Sequence, residues 1–152
     1  MTTVKIFSLY LFKIKFFILS FFILMNLYIF APFINGVGCD FVLSNDSDSY
    51  YQKGYCKNGV LIIETKDKIT GEEKLKKMLW GYWRGYNYTW QINSKIVNEG
   101  TGSEYSKSVL YSAYKLIVGR YFQSTNQAFW VYEKPFELIY STANNGSLGF
   151  FE

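Results

Sequence analysis

Two cysteines and a scatter of carboxylates are the side chains here best equipped for covalent or proton-transfer chemistry, because the 152-residue sequence contains no histidine. That excludes Ser-His-Asp and Cys-His nucleophile systems and every His-ligated metal centre. Two cysteines alone do not complete a zinc tetrahedron, so no metal and no other cofactor is expected. A pair of carboxylates could still act as acid and base on a glycoside, provided both face one cleft. Glu99, Glu104, Glu133 and Glu137 are the candidates, and no spacing singles one out. Solvated surface charge is their expected role. Gly100 and Gly102 fall in a turn between candidate strands, not at the strand-to-helix junction that cradles phosphate. The sequence reads as a protein that binds and is not an enzyme.

What the cysteines do depends on compartment, which the N-terminus sets. Lys5, Lys13 and Lys15 precede an uncharged apolar run from Phe16 to Ile34, broken only by Ser20 and Asn26. Small residues, Gly36-Val37-Gly38, then lead into Cys39. A basic segment, an apolar stretch and a small-x-small site make an export signal, with the lysines left on the cytoplasmic side. The run is also close to the roughly 20 residues that span a bilayer. Residues 1–38 are therefore a signal peptide or membrane anchor, and the rest is extracytoplasmic, membrane-anchored or secreted. Three outcomes stand open: cleavage near Cys39, lipidation of Cys39 after cleavage, and retention as an anchor. Lipoprotein signals have an aliphatic residue three before the cysteine, where this chain has Gly36. Outside the cytoplasm a cysteine pair is usually bridged, and closing a loop of this size is worth about 3 kcal/mol in the chain-entropy model. Cys39 and Cys56 are thus a disulfide, or Cys39 carries lipid and Cys56 is free.

The net charge of +4 does not indicate nucleic acid. Three of the 16 basic residues are the N-terminal lysines, and all 12 acidic residues lie beyond position 39, so the exported part is nearly neutral. Its one basic cluster, Lys74, Lys76 and Lys77, follows Glu72 and Glu73. The expected partners are the membrane, through the N-terminal segment, and a small apolar ligand or a protein.

Residues 39–58 read as a linker, since Asn45-Asp46-Ser47-Asp48-Ser49 has turn chemistry without hydrophobic period. Residues 59–152 read as one antiparallel β domain. Gly59–Lys66 is a candidate strand and Asp67–Gly71 a turn. Glu72–Trp80 has helical character: acids lead, lysines follow, and Leu75, Met78 and Leu79 share a face. From Tyr86 to Asn93 the period is two, with Tyr86, Tyr88, Trp90 and Ile92 alternating against Asn87, Thr89, Gln91 and Asn93. That is a strand with one packed and one wet face. Further strands are expected at 95–98, 108–118, 120–123, 127–133, 136–142 and 147–151. Turn residues separate them at 98–102, Gly119, 124–126, Lys134-Pro135 and 144–146. The fold class is mainly β: an N-terminal apolar helix, then an antiparallel barrel or sandwich with one short helix.

The segment Leu79-Trp80-Gly81-Tyr82-Trp83-Arg84-Gly85, after a short helix and before an alternating strand, resembles the start of a lipocalin-like barrel. There a Gly-x-Trp motif opens the first strand. The resemblance implies that Gly81 permits the turn, Trp83 plugs the closed end and Arg120 packs over Trp83. It makes Trp83→Ala the costliest substitution. Tyr88, Trp90, Trp130 and Tyr132 would line a central ligand cavity. A fainter likeness is to periplasmic lysozyme inhibitors, carried by Tyr55-Cys56-Lys57-Asn58-Gly59 and the Gly100–Tyr105 loop. The function expected is an exported or membrane-tethered small β-barrel binding module. Its alternative is a cell-envelope hydrolase inhibitor or a carboxylate-dependent hydrolase.

Overall fold

In a computed structural model, described for residues 2–101, 115–123, 127–132 and 138–151, the chain divides into two units. Residues 1–31 form one, and Pro32 to the C-terminus forms the other. The first is the body of a helix, α1 (Thr2–Gly36), long and apolar enough from Lys13 onward to cross a membrane. Its large side chains from Phe16 to Phe30 are exposed, as in a segment built for lipid rather than for a protein core.

The second unit begins with the last turn of α1 and continues as eight antiparallel strands in a closed barrel. The strands are β1 (Asp40–Asp46), β2 (Tyr50–Lys57), β3 (Val60–Asp67), β4 (Glu73–Trp83), β5 (Tyr86–Asn98), β6 (Leu116–Gln123), β7 (Ala128–Tyr132) and β8 (Leu138–Ser147). Each pairs with the next, and β1 closes against β8, with Asp40 opposite Ser147 and Ser44 opposite Ala143. Closure gives each strand a hydrogen-bonded neighbour on both sides, which is how a barrel removes the edges of a sheet. The Cys39–Cys56 bridge joins the start of β1 to the end of β2, so the bridged alternative is the one present.

Two hairpins are as tight as hairpins become. Asn58-Gly59 and Arg84-Gly85 each connect strands through two residues with positive φ: 52° and 76°, then 50° and 79°. Both match the twist of the flanking strands, which is why Asn-Gly is favoured there. Arginine lacks the local side-chain hydrogen bonding that makes asparagine tolerant of this backbone. Arg84→Asn is expected to raise stability by about 0.5–1 kcal/mol, taking the conformational penalty of a left-handed residue as the guide. A lower urea midpoint for the variant would contradict this.

Three expectations are corrected. Residues 40–58 are not a linker but β1 and β2, and the turn chemistry occupies only Ser47–Ser49, where Ser47 Oγ accepts from Tyr50 N. The expected helix at 72–80 is strand β4, paired with β3 over Glu73–Leu79 and with β5 along its length. Good helix formers are overruled there by two flanking ladders, with Lys76, Met78, Trp80 and Tyr82 alternating inward. Gly119 and Asn144–Gly146 are not turns: they lie inside β6 and β8, paired with Asn87 and with residues of β1. The expected strand at 108–114, and the turns at 124–126 and 134–135, lie outside the described residues.

Candidate functional site

An eight-stranded barrel has an interior just wide enough for side chains to fill. At the Asp40 end it is filled by rings. Phe41 and Trp80 meet edge-on at 5.0 Å, Trp80 and Trp130 at 5.3 Å, and Trp130 and Tyr121 at 4.9 Å, with Tyr82 against Tyr121 at 6.1 Å. Edge-to-face pairs at these separations add to the burial energy. Both indole N–H groups are used: Trp80 Nε1 donates to Leu148 O at 2.8 Å and Trp130 Nε1 to Thr142 Oγ1 at 3.1 Å. Leu61, Met78, Ala128 and Leu148 complete the plug.

The structure divides the four residues expected to line a cavity. Trp130 is in the plug, and Tyr132 points inward, where Asn87 Nδ2 donates to its hydroxyl at 3.4 Å. Tyr88 and Trp90 lie on the outer wall; Trp90 is 47% exposed. The alternation in β5 is real, but its aromatic face is outside and Asn87, Thr89 and Gln91 face in. Crowding explains the inversion. Beside β5 the interior already holds Trp80, Tyr82 and Tyr132, and the Tyr132 ring lies so near Gly119 that a Cβ there would approach it to 2.5 Å. Only short polar residues fit beneath it. Asn87 is fully buried, and its Oδ1 is the one buried side-chain oxygen without a hydrogen bond among the described residues.

The barrel-closing assignments also move. Gly81 and Trp83 end β4 rather than opening a first strand. Trp83 is half-buried, with the Arg84 guanidinium 5.9 Å from its ring, and Arg120 stands over Tyr86 at 5.3 Å. The residue that plugs the barrel is Trp80, 1% exposed. The period-two run Lys76, Met78, Trp80, Tyr82 was its available signal.

Gly81 has a different use. Its outer side faces Pro32 and Phe33, where a Cβ would stand 3.1–3.2 Å from both, so the last turn of α1 lies directly on β4. Asn35 fixes that turn. Its Nδ2 donates to Tyr82 O at 2.8 Å and to Phe151 O at 2.9 Å, and its Oδ1 accepts from Phe151 N at 2.8 Å. No sequence pattern flagged Asn35, since a lone polar residue at the end of an apolar run reads as a helix stop.

Toward the Asp46 end the interior becomes polar. One inward row runs Leu43, Gly54, Ile63, Lys76 across β1 to β4, and the next runs Asn45, Gln52, Thr65, Lys74. Lys74 pairs with Glu72, which is buried. Burial, with the like charge of Lys74 beside it, pushes the Lys76 amine down to about 8 from its usual 10.5. The folded state thus binds that proton less readily than the unfolded chain. Stability is therefore reduced below about pH 8 and recovers as pH rises toward 10.5. Lys76→Met is expected to remove this dependence and to stabilise the barrel at pH 7 by up to about 3 kcal/mol. Unfolding midpoints of both proteins at pH 7 and pH 10 check it: the two should converge at the higher pH.

Among the carboxylates, Glu73 pairs with Lys66 and Asp46 with Lys68. Glu99 follows β5 in the exposed strand end, whereas Glu104, Glu133, Glu137 and the Gly100–Tyr105 loop beyond Thr101 lie outside the described residues. Thr101 N donates to Thr70 O at 2.9 Å, tying the end of β5 to the β3–β4 turn. In comparisons with known proteins no family model, no curated protein and no solved structure matches this chain.

Proposed function

We propose that this chain is a membrane-anchored binding module, displayed beyond the membrane, which takes a small amphiphilic anion at the polar end of its barrel. The observation that carries the reading is Lys76: an ammonium held inside a β-barrel, in one row with Leu43 and Ile63. Desolvating an amine is costly, and such costs concentrate where a protein meets a ligand. A carboxylate or phosphate head would lie against Lys76, with its apolar body against Leu43 and Ile63. The filled aromatic plug favours this end over the Asp40 end. Closed up-and-down topology supports a lipocalin-like manner of binding, although the Gly-x-Trp segment stands in β4. Without histidine, and with the described Glu72, Glu73 and Asp46 engaged by lysines, binding is favoured over catalysis.

Retention of α1 as an anchor is supported by Asn35, because cleavage near Cys39 would strip Tyr82 O and Phe151 of their partners. The intact mass of the mature protein distinguishes retention from cleavage.

The ligand reading is tested with anilinonaphthalene sulfonate, an anionic amphiphile, added to the full chain in detergent. Saturable binding is expected, weakened about tenfold or more in Lys76→Met, since a charge-assisted contact is worth about 1.5–3 kcal/mol. Binding should also weaken as pH rises above about 8, where Lys76 loses its proton. Equal binding by Lys76→Met would overturn the reading.

A further inference from the structure

The outer wall of the barrel carries an apolar stripe that the ligand reading does not use. Register places Val60, Leu79, Trp90 and Leu116 side by side across β3, β4, β5 and β6. The neighbouring row runs Gly81, Tyr88, Val118. Leu79, Trp90, Leu116 and Val118 are all exposed. In a soluble barrel this face of β5 would be the wet one, and here it is the aromatic one.

Two observations say what covers it. The first is continuity. The stripe borders Gly81, on which Pro32 and Phe33 rest, and the Phe33 ring lies 6.4 Å from that of Tyr88. The apolar run of α1 continues from Pro32 through one peptide bond, with no tether between. The turn that leads into residues 16–31 therefore packs on the row beside the stripe. The second is charge. The three stretches that build this wall, residues 57–62, 77–95 and 115–122, contain Lys57, Lys77, Arg84, Lys95, Lys115 and Arg120 and no acidic residue, and the outward row of Lys95 brings the first carboxylate, Glu64, at the margin of the stripe. All six cations are exposed. The exported part as a whole is nearly neutral, so the acids are concentrated away from the stripe.

We propose that the β3–β6 outer wall is a lipid-contacting face, with Trp90, Tyr88, Leu79, Leu116 and Val118 seated in the headgroup region of an anionic bilayer and the six cations around them on phosphate. Tyr and Trp favour that depth because their rings are apolar and their edges polar. Lysine and arginine near the surface add attraction to anionic lipid. The barrel would then lie against the membrane on a defined side, leaving the polar end of its interior to be reached from a fixed direction. This inference rests on α1 being retained.

The test uses the full chain reconstituted into vesicles of phosphatidylcholine, alone or mixed with phosphatidylglycerol. Flotation reports the anchor. Quenching of tryptophan emission by a lipid spin-labelled at headgroup depth reports the wall. The expected result is that the protein floats, that its emission is quenched, and that Trp90→Phe removes more than half of the quenching while Trp130→Phe does not. Lys77→Glu combined with Lys115→Glu should reduce quenching in the mixed vesicles toward its level in phosphatidylcholine alone. Flotation with Trp90 unquenched by lipid overturns the proposal while leaving the anchor intact. So does disulfide pairing of Leu79→Cys copies in the vesicles, which would make the stripe a contact between two barrels. Failure to float overturns the anchor reading and this inference with it.

Discussion

Trp80→Ala is expected to lower the stability of the barrel by about 3–5 kcal/mol, the cost of removing a fully buried large aromatic side chain. Trp80 touches both sides of the plug, meeting Phe41 and Trp130 edge-on, and its Nε1–H is the partner of Leu148 O. Truncation empties the centre of the stack and removes the hydrogen bond to the buried Leu148 carbonyl, so cavity and hydrogen-bond costs fall together. Trp83→Ala is expected to cost much less, because that ring is half-buried and its described ring contact is with the exposed Arg84. Urea unfolding in detergent, followed by near-ultraviolet circular dichroism, compares the two. An effect of Trp83→Ala equal to that of Trp80→Ala would mean that the plug is centred elsewhere.

Asn35→Ala comes next, with an expected loss of about 2–4 kcal/mol. Asn35 is buried, and its amide satisfies Tyr82 O, Phe151 O and Phe151 N at once. Leaving a buried backbone group unpaired costs about 1–3 kcal/mol, and some of the three would regain water. Asn35→Asp should be no better, since a carboxylate can accept from Phe151 N but cannot donate to the two carbonyls. Besides the unfolding midpoint, limited proteolysis checks this. The last residues, 149–151, should become cleavable in Asn35→Ala while the barrel strands stay protected. A midpoint unchanged within about 0.5 kcal/mol would show that the last turn of α1 is not integral to the barrel.

The fold class was legible because alternation and turn spacing are local. β3, the aromatic strand of β5 and the turn at Asp67, whose Oδ1 accepts from Ile69 N and Thr70 N, all follow from neighbouring residues. Of the short candidates after position 119, 127–133 matches β7 and 136–142 overlaps the first half of β8, whereas 148–151 is not strand and the interior glycines of β6 and β8 passed for turns. What was not legible depends on partners far away in sequence. The segment Glu72–Trp80 carries a helix's composition, and only the presence of β3 and β5 on its flanks makes it a strand. The facing of β5 was hidden for a similar reason. Alternation reveals that two faces differ, but which one turns inward depends on how much room Trp80, Tyr82 and Tyr132 leave. Trp130 and Tyr132 face inward, as the aromatic pattern suggested, but Trp130 is part of the packed plug at the other end from Lys76. Lys76 was passed over because a lysine among glutamates and lysines looks solvated.

The seam between β1 and β8 sets an order of events. Asp40 is opposite Ser147, and Asn35 is bonded to Phe151, 116 residues further along, so the segment that opens the barrel has some of its partners far away in sequence. Closing contacts of such long range is slow compared with local pairing. The helix α1 precedes the eight strands in the sequence, so it can form while most of the barrel has yet to be made. The cylinder shuts only after β8 arrives. A chain cut short before β8 would consequently be unable to close, with β1 presenting a bare edge to its neighbours.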